Sequence, residues 1–167
     1  MATKSTSVRS FTTSVDIPAD SRTKVNAILN QHLADSFDLM SQVKQAHWNV
    51  KGSDFWQLHK LFDEVAERAS EWVDEFAERV TALGGYATGT VRMAAASSSL
   101  PEFPTGITES MDYVRAVAER LAAFTNSARA AIDQTDKLGD ADTADLFTEI
   151  SRCADKYLYF LEAHLQG

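Results

Sequence analysis

The chain has 167 residues, 44% hydrophobic and 24% charged, with a formal net charge of −8 and a pI near 4.9. That composition suits one soluble globular domain with a sizeable core. No apolar run approaches the ~18 residues of a membrane span, and the N-terminus lacks the apolar stretch of a secretory signal. Cys153 is the only cysteine, so an intrachain disulfide is excluded and a cytoplasmic setting is expected.

In chain order, residues 1–15 are Ser/Thr-rich and are expected to form a flexible tail ahead of a domain spanning 16–167. A first helix is predicted from about Asp20 to Asn49, with Leu29, Leu33, Phe37, Met40 and Val43 on its apolar stripe. After a turn over Asn49–Gly52, the run from Trp56 to Leu83 has no Pro or Gly. Its Leu58, Leu61, Phe62, Val65, Trp72, Val73, Phe76 and Val80 recur at helical spacing, and Gly84-Gly85 mark its stop. Residues 84–106 form a connection long enough to cross a bundle, with a short helix around Thr90–Ala96. A third long helix is predicted from Thr108, read as its cap, to Leu138, ended by Gly139. The fourth starts near Asp140–Asp142 and ends near Leu165. The fold class is therefore all-α: four helices with one long crossover between the second and third, the layout of a ferritin-like bundle.

The second helix carries the chemistry. His59 and Asp63 are four apart and share a face, as do Asp74 and Glu78. The eleven residues from Asp63 to Asp74 return the helix to within roughly 20° of the same direction while rising about 16 Å. A metal ion holds its ligands at about 2–2.5 Å, so the pairs face one way but cannot hold one ion. Laying a second copy antiparallel across the stripe brings His59 and Asp63 of one chain to Asp74 and Glu78 of the other, twice over, as a two-fold dimer requires. The helices would cross near residues 68–69, where Ala66, Ala69 and Ser70 are small. His47, at the end of the first helix, adds a fifth ligand. Imidazole with carboxylate and no thiolate suits iron, manganese or zinc. Single His or Asp residues on helices are ordinarily core or solvated; two ligand-type pairs on one stripe are not explained that way.

From Lys44 the sequence reads KQAHWNVKGSDFWQLHKLFDEVAERASEWVDEFAERVTALGG, and near the C-terminus SRCADKYLYFLEAHL. This resembles the Dps proteins, the mini-ferritins, over about Asp16 to Leu165. His47 before a Trp, His59 twelve residues on, Asp63 four later, and Asp74 with Glu78 match the family's ligand pattern without substitution. The resemblance implies a ferroxidase centre shared by two subunits of a hollow homo-dodecamer. There Fe(II) is oxidised, preferably by hydrogen peroxide, and the ferric product is stored. It also assigns Trp48 and Lys44 to the surroundings of the centre, Trp48 as an electron donor or a packing residue. Acid-lined iron-access pores are drawn in the family from the region of Asp140, Asp142 and Asp145.

Three other readings bear on these residues. A di-iron centre inside one bundle uses Glu-x-x-His motifs, but Leu29, Lys44, Trp56 and Leu161 stand three before the four histidines. A nucleoid-associated DNA-binding protein with a mainly structural metal site is the alternative function, and a non-catalytic metal reservoir holding zinc is a third reading. Only Lys4 and Arg9 of the tail are offered to DNA, the acidic body is repelled by phosphate, and binding is expected to be weak unless many tails act together.

Overall fold

The computed structural model describes residues 9–166. Five helices follow one another: α1 (Ala19–Asn49), α2 (Phe55–Ala82), α3 (Val91–Ser97), α4 (Ser110–Lys137) and α5 (Ala141–Ala163). No strand occurs among the described residues. The α1–α2 and α4–α5 hairpins form the four-helix bundle, and the crossover carrying α3 packs along α1. The predicted boundaries hold to within one or two residues, with one corrected cap. Helix α4 begins at Ser110 with Glu109 in the cap position, and Thr108 Oγ1 bonds the Glu109 carboxylate at 3.5 Å instead of an amide of the helix.

Local chemistry sets the helix ends. At the end of α2, Gly84 has φ +78°; its amide donates to Thr81 O and the Gly85 amide to Val80 O, so the last carbonyls are satisfied. At the end of α4, Gly139 (φ +82°) and Asp140 repeat the arrangement on Asp136 O and Thr135 O. Asp140 then opens α5 by accepting from the Thr143 amide at 3.0 Å. One residue thus closes one helix and caps the next, which keeps the α4–α5 turn short.

The core is aromatic at mid-bundle. Phe62, Trp72 and Phe76 of α2 meet Phe124 of α4 and Phe147 of α5, all essentially buried, and Trp72 stacks on Phe124 with ring centroids 5.2 Å apart. Buried His32 sits among Phe76, Phe124 and Phe147. Its Nδ1 donates to Ile28 O (2.9 Å), so its Nε2 accepts from the Ser127 hydroxyl (3.2 Å). Polar side chains hold the crossover down: Asp35 accepts from the Ser99 amide, Asn30 from the Thr88 amide, and buried Arg120 donates to Glu102 O.

Residues 9–15, assigned from sequence to the tail, have no regular structure, yet they lie against the bundle. The Phe11 amide donates to Gly84 O (2.8 Å), Thr13 Oγ1 to Ala82 O (3.2 Å), and Arg22 to the carbonyls of Val15 and Ile17. A Cβ at position 84 would stand 2.5 Å from Phe11 O, so this close approach requires glycine as much as the turn does.

Candidate metal centre

The short turn between α1 and α2 brings the last turn of one helix beside the first turns of the next, and His47 and His59 meet there. Their rings stack with centroids 3.7 Å apart and an interplanar angle of 21°. The bonding is reciprocal: His47 Nδ1 donates to His59 O at 2.8 Å, and His59 Nδ1 donates to His47 O at 2.9 Å. A carbonyl oxygen only accepts, so both neutral rings carry their proton on Nδ1 and keep the Nε2 lone pair. Neither Nε2 has a hydrogen-bond partner among the described residues. A backbone acceptor behind the ring is the usual means of orienting a metal-ligating histidine.

Asp63, one turn along α2 from His59, lies 3.7 Å from His47 Nδ1 and accepts from Lys44 Nζ at 2.5 Å. The hydrogen bond from Lys44 holds its carboxyl below the usual carboxylate range. These side chains are neighbours and not a closed cage. Among the described residues no three His, Cys, Asp or Glu side chains are grouped so as to hold a metal ion.

Asp74 and Glu78 lie farther along the same helix and are exposed, and neither carboxylate takes a hydrogen bond among the described residues. The residues between the pairs require a correction. Ala66 and Ala69 are buried in the subunit core, at 2% and 0% exposure, so they do not present a small-residue surface to a second copy. Relative to Asp63, 100° per residue puts Ala66 near −60° and Ala69 near −120°, turned toward Phe62 and Val65, while Glu67 and Ser70 stay within about 40° of the ligand stripe. Glu67 and Ser70 are the exposed residues there.

Other candidates separate clearly. Trp48 is exposed, so its indole does not pack the end of α1. Asp142 and Asp145 are exposed on the first turns of α5. Asp140 is buried and cannot line a pore: its carboxylate caps α5, accepts from Thr143 Oγ1 (2.6 Å) and binds Arg79 Nη2 (2.7 Å), while Arg79 Nε donates to Thr143 Oγ1 (2.8 Å). The Arg9 guanidinium lies over the Phe11 ring, 5.0 Å from its centroid, and Lys4 falls outside the described residues. The reciprocal histidine lock and the Arg79–Asp140–Thr143 knot were missed from sequence. Two histidines flanking one short interhelical turn were the available signal for the lock; Arg79 gave none.

Residues 26–167 match the family described as Ferritin-like domain. The fold thus falls in the class of ferritin-like bundles. Within it, the chain is 41% identical over 159 residues to "DNA protection during starvation protein" of Agrobacterium fabrum, spanning 95% of this chain and 98% of that one. Among solved structures it superposes on DpsC from Streptomyces coelicolor with a TM-score of 0.90 and 30% identity, covering 99% and 97% of the two chains. On Dps from Microbacterium arborescens in its high iron form the TM-score is 0.82 with 33% identity over 93% and 99%. The chain belongs to the Dps family. No described helix is long and apolar enough to cross a membrane.

Proposed function

We propose that this protein is a ferroxidase and iron-storing mini-ferritin. It takes Fe(II) as substrate and hydrogen peroxide as oxidant at a centre shared across a two-fold dimer interface. His47, His59 and Asp63 come from one subunit, Asp74 and Glu78 from the other. The observation that carries the reading is the reciprocal lock: two imidazoles with Nδ1 tied to backbone keep two Nε2 lone pairs without a hydrogen-bond partner among the described residues, and Asp63 lies 3.7 Å from His47 Nδ1. The unpartnered pair Asp74 and Glu78 lies about 16 Å away on the same face, beyond reach of the same ion.

The donor set fits the task. Neutral imidazoles suit Fe(II), and the three carboxylates favour the harder Fe(III) product. Two Fe(II) together supply the two electrons that one hydrogen peroxide accepts; with two protons the peroxide leaves as two waters and no hydroxyl radical is released. Asp63, Asp74 and Glu78 balance the charge gained on oxidation. The exposed Trp48 indole, one residue past His47, stands ready to donate an electron when only one Fe(II) is held. Asp142 and Asp145 would draw Fe(II) to the shell of a homo-dodecamer through an acidic pore. Zinc would occupy the same ligands without turnover.

By consuming peroxide and Fe(II) together, the protein would protect DNA chemically in the cytoplasm. The names of its relatives support that role. Direct DNA binding is the second reading, with Lys4 and Arg9 as contacts; at a net charge of −8 it is weak and salt-sensitive. A gel shift that persists after deletion of residues 1–15 would remove the tail from that reading. For the main one, the test is His59→Ala with Asp63→Ala: an intact assembly that oxidises Fe(II) at least about a hundredfold more slowly is expected. Unchanged oxidation would discard the site.

A further inference from the structure

One cation is already built into the candidate centre. Lys44 lies three residues before His47 on α1, one turn away. Its ammonium reaches across to α2 and bonds Asp63 Oδ1 at 2.5 Å. Asp63 accepts no other hydrogen bond among the described residues, and Lys44 donates no other. His47 and Lys60 are the other basic residues close enough to act on that carboxylate; His47 Nδ1, 3.7 Å away, is bonded to His59 O, and the Lys60 ammonium lies over the Trp56 ring, 5.3 Å from the centroid. In the single subunit the Lys44 and Asp63 side chains are each about one-third exposed (32% and 31%), so the pair is not sealed in the subunit core.

We infer that Lys44 is an internal competitor for the metal: its ammonium holds the Asp63 oxygen until a divalent cation displaces it. This deepens the proposed ferroxidase centre and rests on Asp63 being one of its ligands. An ammonium and a divalent cation cannot both sit in contact with one carboxylate oxygen, since like charges a few ångströms apart repel. A cation arriving at the histidine Nε2 atoms therefore meets Asp63 already neutralised. Capture becomes two-stage: the histidines and the partner's carboxylates hold the ion first, and Asp63 joins as Lys44 swings away on its four-carbon stem. The device lowers the resting affinity of the centre for any divalent ion, including redox-silent ones that would block it. It also offsets one of the three carboxylates the centre gathers before metal arrives.

The test is calorimetric titration of the assembled, metal-free protein with Co(II) under anaerobic conditions, a readout independent of turnover. Five variants are compared: Lys44→Gln, Lys44→Arg, Asp63→Asn, His59→Ala and the double variant Lys44→Gln/Asp63→Asn, each checked by size exclusion and melting. For a pair one-third exposed the competition is worth about two- to fivefold in affinity. Lys44→Gln should bind Co(II) tighter by that factor, and Lys44→Arg, which keeps the charge, should stay near wild type. In the Asp63→Asn background the change at position 44 should have little further effect. If Lys44→Gln binds Co(II) equally or more weakly while Asp63→Asn weakens binding, Lys44 is no competitor, although the ligand assignment stands. If Asp63→Asn and His59→Ala both leave Co(II) binding unchanged, the centre itself is misplaced and the inference falls with it.

Discussion

The two ends of α2 are built on different principles. At the N-terminal end the ligand-type side chains are held before any ion or partner arrives: His47 and His59 lock each other through backbone carbonyls, and Lys44 holds Asp63. At the C-terminal end the backbone is held and the side chains are not. Gly84 O accepts from the Phe11 amide in the strap formed by residues 9–15, and Arg79 is knotted to Asp140 and Thr143, while Asp74 and Glu78 stand exposed and without hydrogen bonds among the described residues. The proposed centre, completed between subunits, would need this division. One half must keep its tautomers and geometry alone, and the other must present carboxylates along a fixed helix axis to a mate.

The comparison breaks most sharply if the ligand roles are wrong. Asp74→Ala with Glu78→Ala should reduce Fe(II) oxidation by about a hundredfold or more yet leave the melting temperature nearly unchanged, since neither side chain supports the fold. A large loss of stability would show these carboxylates to be structural. The reverse holds at the knot. Asp140→Ala removes a helix cap and strands a largely buried guanidinium, so it should destabilise by about 3 kcal/mol, whereas exposed Asp142→Ala should cost less than about 0.5 kcal/mol. Denaturant unfolding separates them; equal costs would refute the knot. At the strap, Gly84→Ala forces a Cβ into both positive φ and the Phe11 carbonyl, with an expected cost of about 1–2 kcal/mol. The smallest effect is a pH slope. Burial holds the His32 pKa below its ordinary value of 6.5, so the folded state binds its proton less readily than the unfolded chain. The stability His32 permits is therefore complete above about pH 6.5 and is lost as pH falls below that toward the lowered folded value. His32→Gln should flatten the melting-temperature profile between pH 6.5 and 5; an unchanged slope would assign it to other groups.

Much of this was legible in the sequence because helical periodicity is a one-dimensional signal. Trp56–Leu83 shows its core stripe and its ligand stripe directly, and Gly84 and Gly139 mark the ends where φ turns positive. The angular boundary between stripes was not legible. Ala66 and Ala69 look like contact residues by size, but only the packing of Phe62, Val65 and Phe76 shows which way alanine faces. Asp140 carries the same charge as Asp142 and Asp145, and what buries it is Arg79, 61 positions away. The histidine lock likewise depends on backbone carbonyls brought together by the hairpin, which side-chain identities do not encode.

The most direct test is subunit complementation. One variant carries His59→Ala and Asp63→Ala, the other Asp74→Ala and Glu78→Ala; each is inactive in Fe(II) oxidation on this account. Dissociated, mixed in equal amounts and reassembled, half the dimers should be mixed, and each mixed dimer carries one intact centre of its two. The mixture should therefore regain about a quarter of the wild-type rate with hydrogen peroxide. A reassembled mixture, verified to contain both variants, that stays as inactive as its components would contradict a centre shared across the two-fold interface.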